Sequence, residues 1–169
     1  MSVETLISLE DYLHTSYSPD KEYHDGVLLE RNVGDNAHAL LQAVLAAYLH
    51  RRRKQWNIQV YGELRIRAQE KRYRIPDVCV YMLPAPEERF PSRMPVLWIE
   101  ILSQDYKILD VWSKAGDLIE IGVPNVWIIN PNTLESELRT SAGVNDVPDR
   151  NLRLPDSPIV IPLLDVMAE

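Results

Sequence analysis

The spacing of apolar positions predicts two helices and a hairpin in the first fifty residues. Ser8 is a suitable N-cap for a short helix, LEDYLH, which ends before Ser18-Pro19. Asp35 or Asn36 begins a longer helix, in which apolar residues recur at intervals of three and four. Those residues are Ala37, Leu40, Leu41, Val44, Leu45 and Tyr48. Between the helices, Asp25-Gly26 predicts a β-hairpin within KEYHDGVLLER.

The next segment predicts three strands, a helix and a further strand. IQVYGELRIR and YRIPDVCVYM are strand-like runs joined by a polar turn, and four prolines between residues 84 and 95 predict a surface loop after them. Residues 96–102 predict a central strand, and Asp110 is the expected N-cap of a helix that reaches Ile121. Residues 126–129 are continuously apolar, as in a strand covered on both faces. This order predicts a mixed α/β sheet flanked by helices.

Length and composition indicate one globular domain. We expect residues 1–169 to form a single domain, since apolar residues make up 46% and charged residues 25% of the chain. No apolar run approaches the roughly 20 residues of a membrane span. The N-terminus has no basic region before its short apolar stretch, so we expect a cytoplasmic protein. The apolar tail at residues 159–167 either covers the core, which we favour, or forms an interface.

The net charge of −7 argues against a protein that coats nucleic acid by bulk attraction. It does not exclude an enzyme that acts on nucleic acid, because carboxylates that bind a cation add negative charge. Basic residues form two groups, residues 50–54 and a second group between residues 65 and 74. Each group is either an ordinary solvated surface or a surface that contacts phosphate.

Two acids lie in segments that otherwise predict buried strands, Asp77 in RIPDVCV and Glu100 in PVLWIEILS. A lone acid in such a strand is more often a strand-end residue bonded to a neighbouring amide than a metal ligand. With Glu63 on a third predicted strand, however, a carboxylate cluster becomes plausible, and close like charges raise each other's pKa unless a cation joins them. Mg²⁺ or Mn²⁺ is the cation that such oxygen ligands favour.

Other chemistries have little support in the sequence. The four histidines lack a metal-ligand spacing, neither GxxxxGK[ST] nor GxGxxG is present, and Ser103 does not stand in GxSxG. The single cysteine, Cys79, excludes an internal disulfide and is expected in the core. Lys114 lies on the helix after the Glu100 strand, and its helix position alone favours a solvent-facing side chain. The alternative is that its long side chain reaches the metal-bound water or a reacting phosphate.

In this order and spacing, the segments resemble the Uma-two family of putative restriction endonucleases. The matching segments are EYHDG at residues 22–26, His38 at a helix start, RIPDV, PVLWIEILS, Asp110 with Lys114, and GVPNVWIINP. The family is similar to the PD-(D/E)XK nuclease superfamily. The resemblance therefore implies a restriction-endonuclease-like αβββαβ core, in agreement with the predicted order of elements.

The resemblance also assigns roles to residues. Asp77 matches the first metal-binding acid and Glu100 the second, and the carbonyl of Ile101 would complete the Mg²⁺ or Mn²⁺ site. The superfamily places a lysine two residues after the second acid, where this chain has Leu102. The family's lysine lies on the next helix instead, where Lys114 stands.

Further family positions are matched in part. Glu22 and Glu63 match recurrent acids that could be accessory metal ligands, and His38 matches a recurrent histidine. The chain departs from the family pattern at Leu118, Asn125 and Asn130, where tyrosine, glutamate and aspartate are usual.

The resemblance implies a metal-dependent endonuclease that hydrolyses DNA and acts as a homodimer. Two alternatives stay open: a non-catalytic nucleic-acid-binding or regulatory module with the same fold, and hydrolysis of another phosphodiester.

Overall fold

The computed structural model describes residues 5–31, 34–104 and 107–168. The helices in these ranges are α1 (Leu9–His14), α2 (Asn36–Arg51), α3 (Arg53–Trp56), α4 (Ile108–Glu120) and α5 (Leu163–Ala168). The strands are β1 (Glu22–His24), β2 (Val27–Leu29), β3 (Ile58–Gly62), β4 (Ile66–Gln69), β5 (Arg72–Arg74), β6 (Val78–Met82), β7 (Leu97–Ile101), β8 (Val126–Ile129), β9 (Ser136–Thr140), β10 (Gly143–Asp146), β11 (Asn151–Arg153) and β12 (Val160–Pro162).

A six-stranded mixed sheet forms the centre of the fold. Its order is β10-β9-β8-β7-β6-β3, in which β7 and β8 are parallel and the other neighbours are antiparallel. The parallel pair is joined by α4, as a crossover connection requires. The series α2, β3, β6, β7, α4, β8 confirms the predicted mixed α/β fold with its αβββαβ core.

Alternation along β7 directs its side chains to two separate cores. Leu97, Ile99 and Ile101 pack with buried residues of α2 and α5 on one face of the sheet. Trp98 packs on the opposite face, with Val111, Ala115 and Leu118 of α4. Glu100 shares the parity of Trp98 and so lies on the α4 side of the sheet.

The predicted hairpin is confirmed and belongs to a second, four-stranded sheet of order β2-β1-β5-β4. Asp25 and Gly26 have φ of 50° and 99°, the left-handed values that a two-residue hairpin turn requires. Three buried tyrosines, Tyr12, Tyr23 and Tyr73, pack this sheet against α1. Ser8 caps α1 by accepting from the backbone N–H of Asp11, as predicted.

The prediction of two uninterrupted strands in this region is wrong. The first run leaves the six-stranded sheet after Gly62 and resumes as β4, and the second is divided between β5 and β6. Glu63 has φ 52°, and Pro76, which has no backbone N–H, lies at the second break. Asp77 therefore lies in the connection before β6 rather than within a strand.

Two helix details also differ from the prediction. Leu40 is 53% exposed, whereas His38 and Leu49 are buried on the inner face of α2. Lys107 takes the N-cap position of α4, and Asp110 lies inside the first turn, where its charge still complements the helix dipole. Gly122 follows α4 with φ 101°, as expected for a residue after a helix end.

The apolar tail covers the core. Ile159, Ile161, Leu163 and Val166 are buried in the same cluster as the inner face of α2. The Tyr48 hydroxyl donates to the carbonyl of Val160 at 3.0 Å, which fixes the tail to α2. Cys79 is fully buried, as predicted, and burial raises the pKa of its thiol. Among the described helices, none is long and apolar enough to cross a membrane.

Candidate active site

Asp77 links the beginning of β6 to the end of β7. Its backbone N–H donates to the carbonyl of Ile99 at 3.2 Å, and its Oδ2 accepts from the backbone N–H of Ile101 at 2.7 Å. Its own carbonyl accepts from Gln42 Nε2 at 3.1 Å. Asp77 is 4% exposed, so these bonds hold a buried carboxylate in a defined orientation.

Glu100 projects from β7 toward α4 and is also buried. Its Oε1 accepts from Trp98 Nε1 at 2.6 Å and lies 2.8 Å from Lys114 Nζ. Burial raises the pKa of Glu100, and the nearby charges of Asp77 and Glu22 add to this effect, although the Lys114 ammonium opposes it. The site therefore contains an acid that is reluctant to ionise without more positive charge close by.

Lys114 points into the protein from the middle of α4, so the solvent-facing alternative is wrong. Its side chain is 10% exposed, and Nζ lies 2.8 Å from Oε1 of both Glu22 and Glu100. The same helix carries the buried residues Val111 and Ala115, which pack with Trp98 in one apolar cluster. The ammonium is thus held between two carboxylates that come from different sheets.

Glu22 brings the hairpin into the site. Its Oε1 accepts from the backbone N–H of Ile75 at 2.9 Å, and its Oε2 accepts from Arg74 Nη1 at 2.9 Å. Burial alone would raise the pKa of Glu22, but Lys114, Arg74 and the Ile75 N–H together hold it below its usual value. Glu22 is therefore an ionised anchor for Lys114.

Arg31 is the site residue that the sequence did not indicate. Its Nη2 donates to Asp77 Oδ1 at 3.0 Å, and its Nη1 lies 3.4 Å from Glu63 Oε1. Burial would lower the pKa of Arg31, but the charges of Asp77, Glu100, Glu63 and Glu22 outweigh it and raise the pKa. Arg31 follows β2 in a connection without apolar periodicity, so no pattern distinguished it from a surface arginine.

His38 contacts the same carboxylate from the first turn of α2. Its Nε2 lies 3.4 Å from Asp77 Oδ1, whereas the buried Nδ1 has no hydrogen-bond partner among the residues that the structure describes. Burial would lower the pKa of His38, but the hydrogen bond and the charge of Asp77 raise it. A Cβ at Gly34 would lie 2.7 Å from the imidazole, so glycine is needed for the loop to pass the ring this closely.

Glu63 lies at the edge of this group and contacts it through Arg31. Its side chain is 53% exposed, and its remaining contact is a 3.4 Å bond from Gln42 Nε2. The left-handed backbone of Glu63 is unusual for a residue other than glycine, asparagine or aspartate. Its place as an accessory ligand remains a prediction.

A cavity of about 30 Å³ lies between these side chains. It is lined by Glu22, Glu30, Arg31, His38, Asp77, Glu100, Ile101 and Lys114. This volume is enough for one or two water molecules or a small ion. Asp77, Glu100, Ile101, Lys114 and Glu22, which the sequence singled out, are thus brought together, whereas Glu63 lies outside the lining.

The donors around the cavity fit a hard divalent cation in kind, because carboxylates and a backbone carbonyl are the oxygen ligands of Mg²⁺ and Mn²⁺. Their present arrangement is not a ready metal centre. In the described part of the chain, no group of three or more His, Cys, Asp and Glu side chains is arranged to hold a metal ion. Arg31 and Lys114 bind the carboxylates instead.

The second basic group is largely occupied inside the protein. Arg65 pairs with Asp20, and Arg74 pairs with Glu22, so neither guanidinium is available to contact phosphate without breaking an ion pair. Arg72 pairs with Asp25 in the hairpin turn. These contacts favour a structural role for the second group.

The departures from the family pattern have local structural roles. Leu118 is fully buried among the apolar residues of α4 and the sheet. Asn125 donates to the carbonyl of Val96 at 3.0 Å, and Asn130 accepts from the backbone N–H of Asn132 at 2.9 Å. None of the three contacts the acids or the lysine through a described hydrogen bond.

Comparisons with known proteins identify the family and agree with the fold. The sequence model of the Uma2 (Uma-two) family, described as "Putative restriction endonuclease", matches residues 9–163. A solved structure with the same fold is the crystal structure of "a putative nuclease belonging to DUF820" from Anabaena variabilis ATCC 29413. The TM-score is 0.78 at 22% identity, and the alignment covers 96% of this chain and 98% of that one. No curated protein sequence matches the chain.

The chain belongs to the Uma-two family, because the family match extends over most of its length. The family description indicates a restriction-endonuclease-like nuclease with a nucleic-acid substrate. Families of this kind generally use divalent metal ions.

Proposed function

We propose that the protein is a metal-dependent endonuclease that hydrolyses phosphodiester bonds in DNA, with Mg²⁺ or Mn²⁺ as its cofactor. The observation that carries this proposal is the meeting of Asp77, Glu100 and Lys114 around one small buried cavity. Two acids are costly to bury side by side, so their retention beside a lysine favours a catalytic use.

Asp77, Glu100 and the carbonyl of Ile101 would hold the cation. A bound divalent ion supplies a nucleophile at neutral pH and neutralises charge on the phosphate. The backbone N–H of Ile101 fixes Asp77 Oδ2, and Trp98 Nε1 fixes Glu100 Oε1, so both acids are oriented before any ligand arrives. Glu63 and Glu22 are the proposed accessory acids, and Glu22 acts mainly by holding Lys114.

Lys114 would stabilise the negative charge that develops on the phosphate oxygens or orient the attacking water. Its Nζ lies between two carboxylates at the end of a long, flexible side chain, from which it would contact a substrate phosphate beside the acids. One such electrostatic donor is typically worth about 3 kcal/mol of transition-state stabilisation.

The test is DNA cleavage with matched isosteric variants. Purified protein is incubated with supercoiled plasmid and with single-stranded DNA in Mg²⁺, in Mn²⁺ and in EDTA. We expect cleavage in the two metals, no cleavage in EDTA, and loss of cleavage in Asp77→Asn, Glu100→Gln and Lys114→Met. Plasmid cutting by Asp77→Asn at the wild-type rate would contradict the proposal.

A second candidate is a non-catalytic nucleic-acid-binding module of the same fold. The observation that favours it is the neutralisation of the acids by Arg31 and Lys114, which leaves the site stable without a metal. Calorimetry separates the two functions, because an enzyme binds Mn²⁺ at Asp77 and Glu100 and a module does not. We further propose a cytoplasmic homodimer, which sedimentation analysis of the DNA-free protein would check.

A further inference from the structure

Arg31 contacts one of the two acids that are proposed to hold the metal ion. Its guanidinium neutralises the buried Asp77 carboxylate through Oδ1, which His38 Nε2 also approaches at 3.4 Å, whereas the Ile101 N–H binds Oδ2. A buried carboxylate without a positive partner would be strongly destabilising. The metal-free protein thus needs a cation at this point, and Arg31 supplies it.

Each acid around the cavity is in contact with a cationic side chain. Among the described residues there, the acids Glu22, Asp77 and Glu100 are paired with Arg31, Arg74 and Lys114. A divalent ion bound to Asp77 and Glu100 would lie beside the Arg31 guanidinium and the Lys114 ammonium, and these positive charges would repel it. One of the cations must therefore move before an ion binds tightly.

Arg31 is the cation best placed to move. Lys114 extends from the interior of α4 and is held by two buried acids, whereas Arg31 lies in the connection between β2 and α2. The second partner of Arg31 is Glu63, whose side chain is half exposed. Arg31 therefore spans from the buried acid to the protein surface, and it can leave Asp77 while staying beside Glu63.

The backbone around Glu63 supports this direction of movement. Glu63 keeps a left-handed conformation, φ 52°, which is strained for a residue with a side chain. That conformation places its carboxylate beside Arg31 and Gln42. An acid held outside the cavity, 3.4 Å from Arg31 Nη1, gives the guanidinium a partner after it has released Asp77.

We propose that Arg31 is a displaceable counter-ion: it occupies Asp77 in the metal-free protein, yields this carboxylate to the divalent ion, and then contacts the substrate phosphate from the Glu63 side. This inference rests on the proposed function. Arg31 suits the second position because a guanidinium forms paired hydrogen bonds with phosphate oxygens. Arg31 thus couples binding of the metal ion to binding of the substrate at one site.

The test compares Mn²⁺ binding by calorimetry in the wild type and in Arg31→Gln. If the wild-type arginine is away from Asp77 for about a tenth of the time or less, Arg31→Gln binds Mn²⁺ at least about tenfold more tightly. Its apparent KM for a DNA oligonucleotide rises in saturating Mn²⁺, because the phosphate contact is lost. Arg31→Lys keeps the charge and stays close to the wild-type Mn²⁺ affinity. Arg153→Gln, which removes the same charge from an exposed ion pair, leaves both quantities unchanged.

A measurement on the wild type covers the case in which Arg31→Gln does not fold. The guanidinium N–H resonances of Arg31 are expected to be protected from solvent exchange in EDTA and to lose this protection as Mg²⁺ is added. Equal Mn²⁺ affinity in wild type and Arg31→Gln, or protection unchanged by Mg²⁺, would overturn the inference alone. Absence of metal binding in both proteins would overturn the proposed function and the inference with it.

Discussion

Two arginine–aspartate pairs in this protein have the same chemistry but different surroundings. Arg65 holds Asp20 through two nitrogens, Nε to Oδ2 at 2.7 Å and Nη2 to Oδ1 at 2.5 Å. It also donates to the carbonyls of Tyr12 and Thr15, and its guanidinium lies 4.5 Å from the centre of the Tyr12 ring. This pair joins α1 and the loop after it to the beginning of β4.

The pair of Arg31 and Asp77 is less complete. Arg31 gives Asp77 one nitrogen at 3.0 Å and gives Glu63 another at 3.4 Å, and no described backbone carbonyl accepts from it. Asp77 divides its oxygens between Arg31 and His38 on one side and the Ile101 N–H on the other. The difference indicates that saturated, bidentate pairing builds the fold, whereas pairing spread over several weaker partners leaves an acid available for a ligand.

The largest effect that separates the two pairs is expected on cleavage. Asp77→Asn keeps an acceptor for the Ile101 N–H but removes the charge that would bind the cation. We expect cleavage to fall at least about 10³-fold, since metal-ion stabilisation of the transition state is worth several kcal/mol. Plasmid nicking assays measure this, with circular dichroism to establish that the variant is folded. Asp20→Asn, the matched change in the other pair, should leave the cleavage rate of the folded protein within a few fold.

The next largest effect is expected on stability. Arg65→Ala removes the guanidinium from which Asp20 and the carbonyls of Tyr12 and Thr15 accept, and we expect the free energy of unfolding to fall by about 3 kcal/mol. Urea denaturation followed by tryptophan fluorescence measures this change. Arg153→Ala, in an exposed pair with Asp149, is the control and should change stability by less than about 0.5 kcal/mol. A loss as small as the control's would show that Arg65 is not a structural anchor.

The two regions also differ in what could be predicted from the sequence. Glu100 was predictable because it lies in a strand with clear periodicity, and strand parity assigns it to one face of the sheet. Lys114 was identified through the family resemblance, because its helix position alone favoured a solvent-facing side chain, whereas it lies 2.8 Å from Glu100. Asp77 was identified as a candidate ligand, but its position in the connection before β6 was not predicted. The segment YRIPDVCVYM has no local signal for its division between two sheets. That division depends on the pairing of β5 with β1, which is distant in the sequence.

Arg31 could not be predicted because its described contacts with the site are all tertiary. It lies outside the regular elements, and the acid that it neutralises is 46 residues away. His38 was noticed as a family position, but its contact with Asp77 follows from the packing of α2 against the sheet. The sequence therefore specified the acids better than the cations that balance them.

A smaller effect would sharpen the assignment of Glu22, which joins the hairpin sheet to the site. Glu22→Gln keeps an acceptor for the Ile75 N–H but loses the charge that holds Lys114 and Arg74. We expect kcat to fall about tenfold because Lys114 loses one of the two carboxylates that position it. The Kd for Mn²⁺, measured by calorimetry, should stay the same. A Mn²⁺ affinity weakened about tenfold or more would instead identify Glu22 as an accessory metal ligand.

The smallest expected effect concerns Glu63, in the turn that connects the two pairs. Glu63 contacts Arg31, and Arg65 lies only two residues further along the chain. Glu63→Ala and Glu63→Gly both remove the contact with Arg31, but only glycine adopts φ 52° without strain. We expect Glu63→Gly to be more stable than Glu63→Ala by about 1 kcal/mol in urea denaturation. Equal stability of the two variants would show that the turn stores no strain, and that the position of Glu63 beside Arg31 has no conformational cost to the protein.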